Sequence, residues 1–334
     1  MMKQKLSHEI DLCLLKKKCK DCKRVLIKIP DGLRHLSQKI FDSLEKRGRE
    51  VIISADTCYG ACDFHGGMGG VDKVIYIGEA EMPYLKKLYH LPVEFIEVYA
   101  PYDVKEVVKK AIPLLEGKKI GITTITPYVP QIKKCVEILK REGFSVIIGK
   151  RGRRTAHDGQ ILGCDLTAGM CIADKVNSFF YIGDGFFHPL GLSLATGKEI
   201  IAANPSQGNV IKEEIEQMKN EILKKRYAIV AKAMDGKRVG ILVGEKLGQQ
   251  RLELARRMKK LAKEKGFDAY LFSADVISPE KIDYIDVDFF ISTACPRIAI
   301  DDADLYKKPL LTPIEAEIVF GERGWKNYEF DQIL

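Results

Sequence analysis

KKIGITTITPYVPQIKKCVEILKREGFSVII, residues 118–148, decides the fold class. Lys118-Lys119 lead into the apolar run Ile120-Gly121-Ile122. An amphipathic stretch opens at Val129, Gly143 follows it, and Val146-Ile147-Ile148 is a second apolar run. Ile132, Val136 and Leu139 recur at the helical period and mark one face. Gly143 sits where a helix C-terminus takes a left-handed residue. The stretch therefore reads as strand, helix, strand.

The same pattern occurs on either side. Upstream, Arg24-Val25-Leu26-Ile27-Lys28-Ile29 precedes a helix from Leu33, with Leu33, Leu36, Ile40 and Leu44 on one face; Gly48 follows Arg47, then comes Val51-Ile52-Ile53. Downstream, Lys237-Arg238-Val239-Gly240-Ile241-Leu242-Val243 precedes a helix from Gly248 with Leu254, Met258 and Leu261 aligned; Gly266 and Tyr270-Leu271-Phe272 follow. Each unit then offers a third strand (residues 73–77, 179–182 and 287–291) and a fourth (93–98, 199–203 and 309–311). Continuous apolar strands alternating with helices predict parallel sheets covered on both faces. The expectation is an α/β protein of three similar doubly wound domains, 1–115, 116–230 and 231–334, arranged around a central site.

Composition agrees with a globular chain. Of 334 residues, 46% are hydrophobic and 30% charged, a balance that can bury a sizeable core. No apolar run is long enough for a membrane helix, and the N-terminal stretch lacks a signal-type apolar segment, so a cytoplasmic protein with no membrane partner is expected. The net charge of +8 is spread over helix faces such as Lys109-Lys110 and Arg256-Arg257, which reads as solvated surface, not as a nucleic-acid footprint.

The nine cysteines are too many to ignore, and in a reducing compartment they do not suggest disulfides. Cys62 lies after the second strand of unit one, nine residues before Val71-Asp72-Lys73. Cys164 lies in the equivalent loop of unit two, nine residues before Ala173-Asp174-Lys175. Both are followed by Asp. Cys295, the one cysteine of unit three, comes just after its third strand. Ligands of open α/β sheets bind beyond the carboxyl ends of strands, so each unit offers one thiol at its ligand-binding end. Three thiols suit a soft metal or an iron–sulfur cluster and would leave one coordination position open. On spacing alone, three unrelated buried cysteines remain the competing reading. Of the others, Cys135 reads as core, and Cys171 reads as core or a spare ligand, with core favoured. Cys58 could compete with Cys62, although repeat register favours Cys62. Cys19-Lys20-Asp21-Cys22, with Cys13 upstream, lacks a second ligand pair and reads as incidental.

Four motifs carry a family resemblance: Tyr59-Gly60-Ala61-Cys62, Leu162-Gly163-Cys164, Gly183-Asp184-Gly185-Phe186-Phe187-His188, and Ala294-Cys295-Pro296-Arg297 with Asp301. In these the chain resembles the archaeal diphthamide-synthesis enzymes, the 2-(3-amino-3-carboxypropyl)histidine synthases. The resemblance implies a 4Fe–4S cluster on Cys62, Cys164 and Cys295, with S-adenosylmethionine as second cofactor. It implies an electron passed to the sulfonium and a 3-amino-3-carboxypropyl radical released with methylthioadenosine. That radical would add to the imidazole of one histidine of translation elongation factor 2. An electron donor and a homodimer are implied as well. The compact Cys-x-x-x-Cys-x-x-Cys loop of ordinary radical enzymes is missing. No residue is assigned as catalytic, since no triad or carboxylate pair appears. Asp31 and Arg34, which open the first helix, and His188 are the candidate cofactor contacts. The rival enzyme reading is a quinolinate-synthase-like cluster acting as a Lewis acid; the rival from another class is a non-catalytic partner subunit.

Overall fold

The computed structural model describes residues 9–45, 48–64 and 68–334. The opening of the N-terminal stretch, and Arg47 before Gly48, lie outside the described residues. The first sheet holds β1 (Arg24–Lys28), β2 (Glu50–Ile53), β3 (Lys73–Ile77) and β4 (Val93–Ile96). The second holds β5 (Lys119–Thr124), β6 (Ser145–Ile148), β7 (Ser178–Ile182), β8 (Ile200–Asn204) and β9 (Asn209–Ile211). The third holds β10 (Arg238–Gly244), β11 (Asp268–Ala274), β12 (Phe289–Ser292) and β13 (Leu310–Leu311). Their orders are β2-β1-β3-β4, β6-β5-β7-β8-β9 and β11-β10-β12-β13. Every pairing is parallel except β8 with β9, an antiparallel edge added to the second sheet. The predicted α/β class and threefold parallel architecture are what the chain adopts.

The repeat extends to how the sheets pack. First and third strands pair as Leu26 with Val74, Gly121 with Phe179, and Gly240 with Phe290. A Cβ on Gly121 would lie 2.5 Å from the Phe179 ring, and one on Gly240 would lie 2.6 Å from Phe290. Units two and three thus put glycine against phenylalanine where unit one puts leucine against valine. Close packing requires the trade, since an interior at crystal-like density has no room for both.

Two helices expected from Leu33 and Val129 begin as 3-10 turns, Asp31–Leu36 and Thr126–Gln131, before the α-helices Ser37–Leu44 and Ile132–Arg141. In the second, Pro127 and Pro130 supply no N–H to an α-helical ladder.

Between the second and third sheets there is a helix and no linker. Helix Glu213–Ala233 starts beside unit two and ends packed on unit three. Arg226, fully buried on it, donates to both carboxylate oxygens of Glu315 at 2.7 and 2.5 Å and to the Ala299 and Leu310 carbonyls. The C-terminal tail runs the other way. Phe330 joins the core of unit two, and the Ile333 N–H donates to the Cys164 carbonyl at 2.8 Å.

Candidate metal centre

One cavity of about 260 Å³ lies beyond the strand ends of all three sheets. Unit one lines it with Gly60, Cys62 and Glu79, unit two with Arg154, Cys164 and His188, and unit three with Cys295 and Arg297. The three cysteines singled out in the sequence therefore share one wall. Cys58 does not reach it; its side chain packs with Phe64 and Tyr76.

Local chemistry fixes each loop. Asp63, after Cys62, accepts from the Tyr59 N–H at 3.1 Å and forms a buried ion pair with Lys246 of unit three at 2.5 Å. Asp165, after Cys164, accepts from the Thr167 N–H at 2.9 Å. The shared Cys-Asp dipeptide thus anchors the cysteine loops. Cys295 caps helix Pro296–Ile300 with an extended backbone. Gly248, from the loop after β10, donates its N–H to the Cys62 carbonyl at 3.2 Å. A Cβ there would lie 2.3 Å from the Cys62 Cα, so only glycine permits this approach.

Arg154 joins the units. Its guanidinium donates to the Tyr84 hydroxyl of unit one at 2.6 Å and to the Gly248 carbonyl of unit three at 2.6 Å. It lies beside Cys164 and Cys62, and its buried Nε has no hydrogen-bond partner among the described residues. Gln249 Nε2 donates to the Cys62 sulfur at 3.5 Å. Burial pushes all three thiols above the usual range, Cys295 to about 12. The neighbouring thiols add to the effect on Cys62 and Cys295. A soft metal group supplies the positive charge that would let three such thiols ionise together. The three thiols line one cavity and lie near enough to influence one another, and thiolates are the ligands an iron–sulfur cluster takes. The three thiols, the Arg154 guanidinium beside them and the Gln249 donor fit an iron–sulfur cluster.

His188 lines the same cavity, stacked near Tyr181 with ring centroids 6.3 Å apart. Burial, helped by Arg297, lowers its pKa to about 4, so the imidazole is neutral. Asp31 and Arg34 are elsewhere. They pair with each other at 2.9 Å, and Arg34 donates to the carbonyls of Ala55 and Asp56, bracing the chain that leaves β2. Cys135 is core as expected. Cys171 is not: it is exposed, because the short helix Thr167–Met170 turns its C-terminal end to solvent. Cys19 and Cys22 belong to the core of unit one.

Sequence reasoning passed over Arg154, Gln249 and Glu79. Arg154 hides in the run Arg151-Gly152-Arg153-Arg154, which reads as basic surface. Gln249 follows a strand of the repeat. Glu79 carries a clearer signal, since Ile77-Gly78-Glu79 ends β3 as Ile182-Gly183-Asp184 ends β7.

Fold and site together define a class: three doubly wound α/β units enclosing a cavity to which each contributes one cysteine. Residues 29–330 match the family model for diphthamide synthesis proteins. The chain is 36% identical to the 2-(3-amino-3-carboxypropyl)histidine synthase of Pyrococcus horikoshii, covering 98% of this chain and 94% of that protein. It is 30% identical to the synthase of the same name from Methanocaldococcus jannaschii, covering 93% and 87%. The crystal structure of Dph2 from Pyrococcus horikoshii with a 4Fe–4S cluster superposes with a TM-score of 0.88 at 35% identity, covering 98% of this chain and 94% of that one. This chain belongs to the diphthamide synthesis protein family.

Proposed function

We propose that the protein is a 4Fe–4S transferase that moves the 3-amino-3-carboxypropyl group of S-adenosylmethionine to a histidine of translation elongation factor 2. The observation that carries this reading is the convergence of Cys62, Cys164 and Cys295, one from each sheet, on one cavity. These three would hold the cluster. When bound, the cluster supplies the electron that cleaves a carbon–sulfur bond of the sulfonium. The chain's own part is to position and to exclude water. Gln249 donates to the Cys62 sulfur and the Arg154 guanidinium lies beside Cys164, and both favour the ionised thiols. His188 borders the cavity as a neutral ring and adds no charge that would repel a sulfonium. The protein would work in the cytosol as a homodimer supplied by an external electron donor.

The test is anaerobic incubation of cluster-loaded protein with dithionite and S-adenosylmethionine. Methylthioadenosine should be released, and with elongation factor 2 added, the mass increase should fall on one histidine. Release of 5′-deoxyadenosine as the main product would refute the assigned chemistry. Release of neither would favour a Lewis-acid site.

A further inference from the structure

The third strands of units one and two each end in Ile-Gly followed by an acid, Glu79 after β3 and Asp184 after β7. The two acids have different surroundings. The Asp184 carboxylate accepts from the Tyr128 hydroxyl at 3.1 and 3.0 Å and from the Ser206 hydroxyl at 2.9 Å. Glu79 lines the cavity and has no hydrogen bond or ion pair among the described residues. Its position is fixed against the cysteine wall. A Cβ on Gly60 would lie 3.6 Å from Glu79 Oε2 and 4.0 Å from Cys62 Sγ. Burial without a countercharge raises its pKa to about 7.

A half-buried carboxylate with no partner among the described residues is costly, and its cost is removed by a cation that also donates hydrogen bonds. The repeat shows the alternative, because Asp184 has such donors from its own chain and Glu79 has none among the described residues. We propose that Glu79 receives the α-ammonium of the aminocarboxypropyl arm of S-adenosylmethionine and so selects a substrate that carries that amine. This rests on the transferase reading above. The sulfonium and the ammonium are the cations of that molecule, and only the ammonium can donate to both carboxylate oxygens. The arm to be transferred must also lie at the cysteine wall, where Glu79 is.

Calorimetric titration of anaerobic, cluster-loaded protein tests the assignment, using S-adenosylmethionine and its desamino analogue as ligands. The intact protein should bind S-adenosylmethionine roughly ten- to a hundredfold more tightly than the analogue, the loss expected for one charge-assisted contact. Glu79→Gln should lose that preference while keeping its affinity for the analogue and its iron content; Glu79→Asp should keep part of it. Equal affinity of the intact protein for the two ligands overturns the proposal without any variant. So does a Glu79→Gln protein that still discriminates, or one that weakens both ligands alike. If loaded protein releases methylthioadenosine yet shows no preference for the amine, the role of Glu79 fails and the transferase reading stands. If it binds neither ligand, both fail.

Discussion

Arg154 concentrates the problem of building one site from three units into one side chain. Its fork bonds Tyr84 of unit one and Gly248 of unit three while lying beside Cys164 of its own unit. Lysine has the charge but not the geometry, so Arg154→Lys should weaken iron retention, read as faster bleaching of the loaded protein in air. The thiols themselves give a sharper test. Single changes Cys62→Ala, Cys164→Ala and Cys295→Ala should each lower the iron bound per chain, whereas Cys58→Ala and Cys135→Ala should not, as measured by iron and sulfide analysis. Iron lost from Cys58→Ala but kept by Cys62→Ala would reverse the ligand choice in unit one. His188 makes a prediction in pH. The unfolded imidazole titrates near ~6.5, and the folded one at about 4. Between these values the unfolded chain binds more protons. The contribution to stability is therefore present above the higher value and is lost as pH falls through the lower one. Denaturant midpoints of the metal-free protein should fall relative to His188→Asn as the pH drops from about 7 to about 4.5. A gap between the two proteins that does not change with pH would contradict the buried neutral ring.

At the scale of elements, the strand core can be tested by exchanging one unit's solution for another's. Gly240→Ala places a methyl 2.6 Å from the Phe290 ring and should destabilise by about 1–3 kcal/mol through overpacking. Phe290→Leu in the same chain should recover much of that loss, because unit one already pairs Leu26 with Val74. Thermal or denaturant unfolding of the two single variants and the double variant checks the coupling. Gly248→Ala acts differently. It meets backbone, not a ring, so the loop carrying Cys62 must shift, and iron retention should fall more than fold stability does. Helix Glu213–Ala233 shows how an element can belong to two units. Its Arg226–Glu315 pair is fully buried, and Glu315 also accepts from the Thr312 N–H in a capping box. Glu315→Ala leaves an unpaired buried guanidinium and should cost about 3–5 kcal/mol.

At the scale of the whole molecule, the cavity exists only while the three units stay together. Contacts between units include the buried pair Lys246–Asp63, Glu97 with His157 at 2.8 Å, and the C-terminal tail. In that tail Asp331 pairs with Arg251 at 2.6 Å, Gln332 accepts from the Leu166 N–H at 3.0 Å, and Ile333 bonds the Cys164 carbonyl. Deleting residues 330–334 should therefore loosen the Cys164 loop. The loaded protein should lose iron faster on dilution into chelator while its far-UV circular dichroism changes little. Unchanged iron loss would show that the tail does not hold the loop. The proposed homodimer is read by light scattering of anaerobic protein, as a mass near twice that of the chain; a fully active monomer would exclude it.

The sequence by itself determined the sheets and the cysteine register. Strands buried on both faces must be apolar throughout, and helices lying on them must repeat at 3.6 residues, so both patterns are written locally and three times over. The Cys-Asp loops and Cys295 could be placed at strand ends for the same reason. What the local pattern cannot contain is how the units face one another. Arg154, Gln249, Gly248 and the tail act through contacts with residues far away in the chain, and a basic run or a single glycine looks the same whether it meets water or another unit. Asp31 and Arg34 show the converse: at a helix opening suited to an anion by sequence, the two side chains pair with each other and are not among the residues that line the cavity. Only the docking of three sheets decided which polar groups border the cysteines, because burial and partners, not residue type, determine what a charged side chain does.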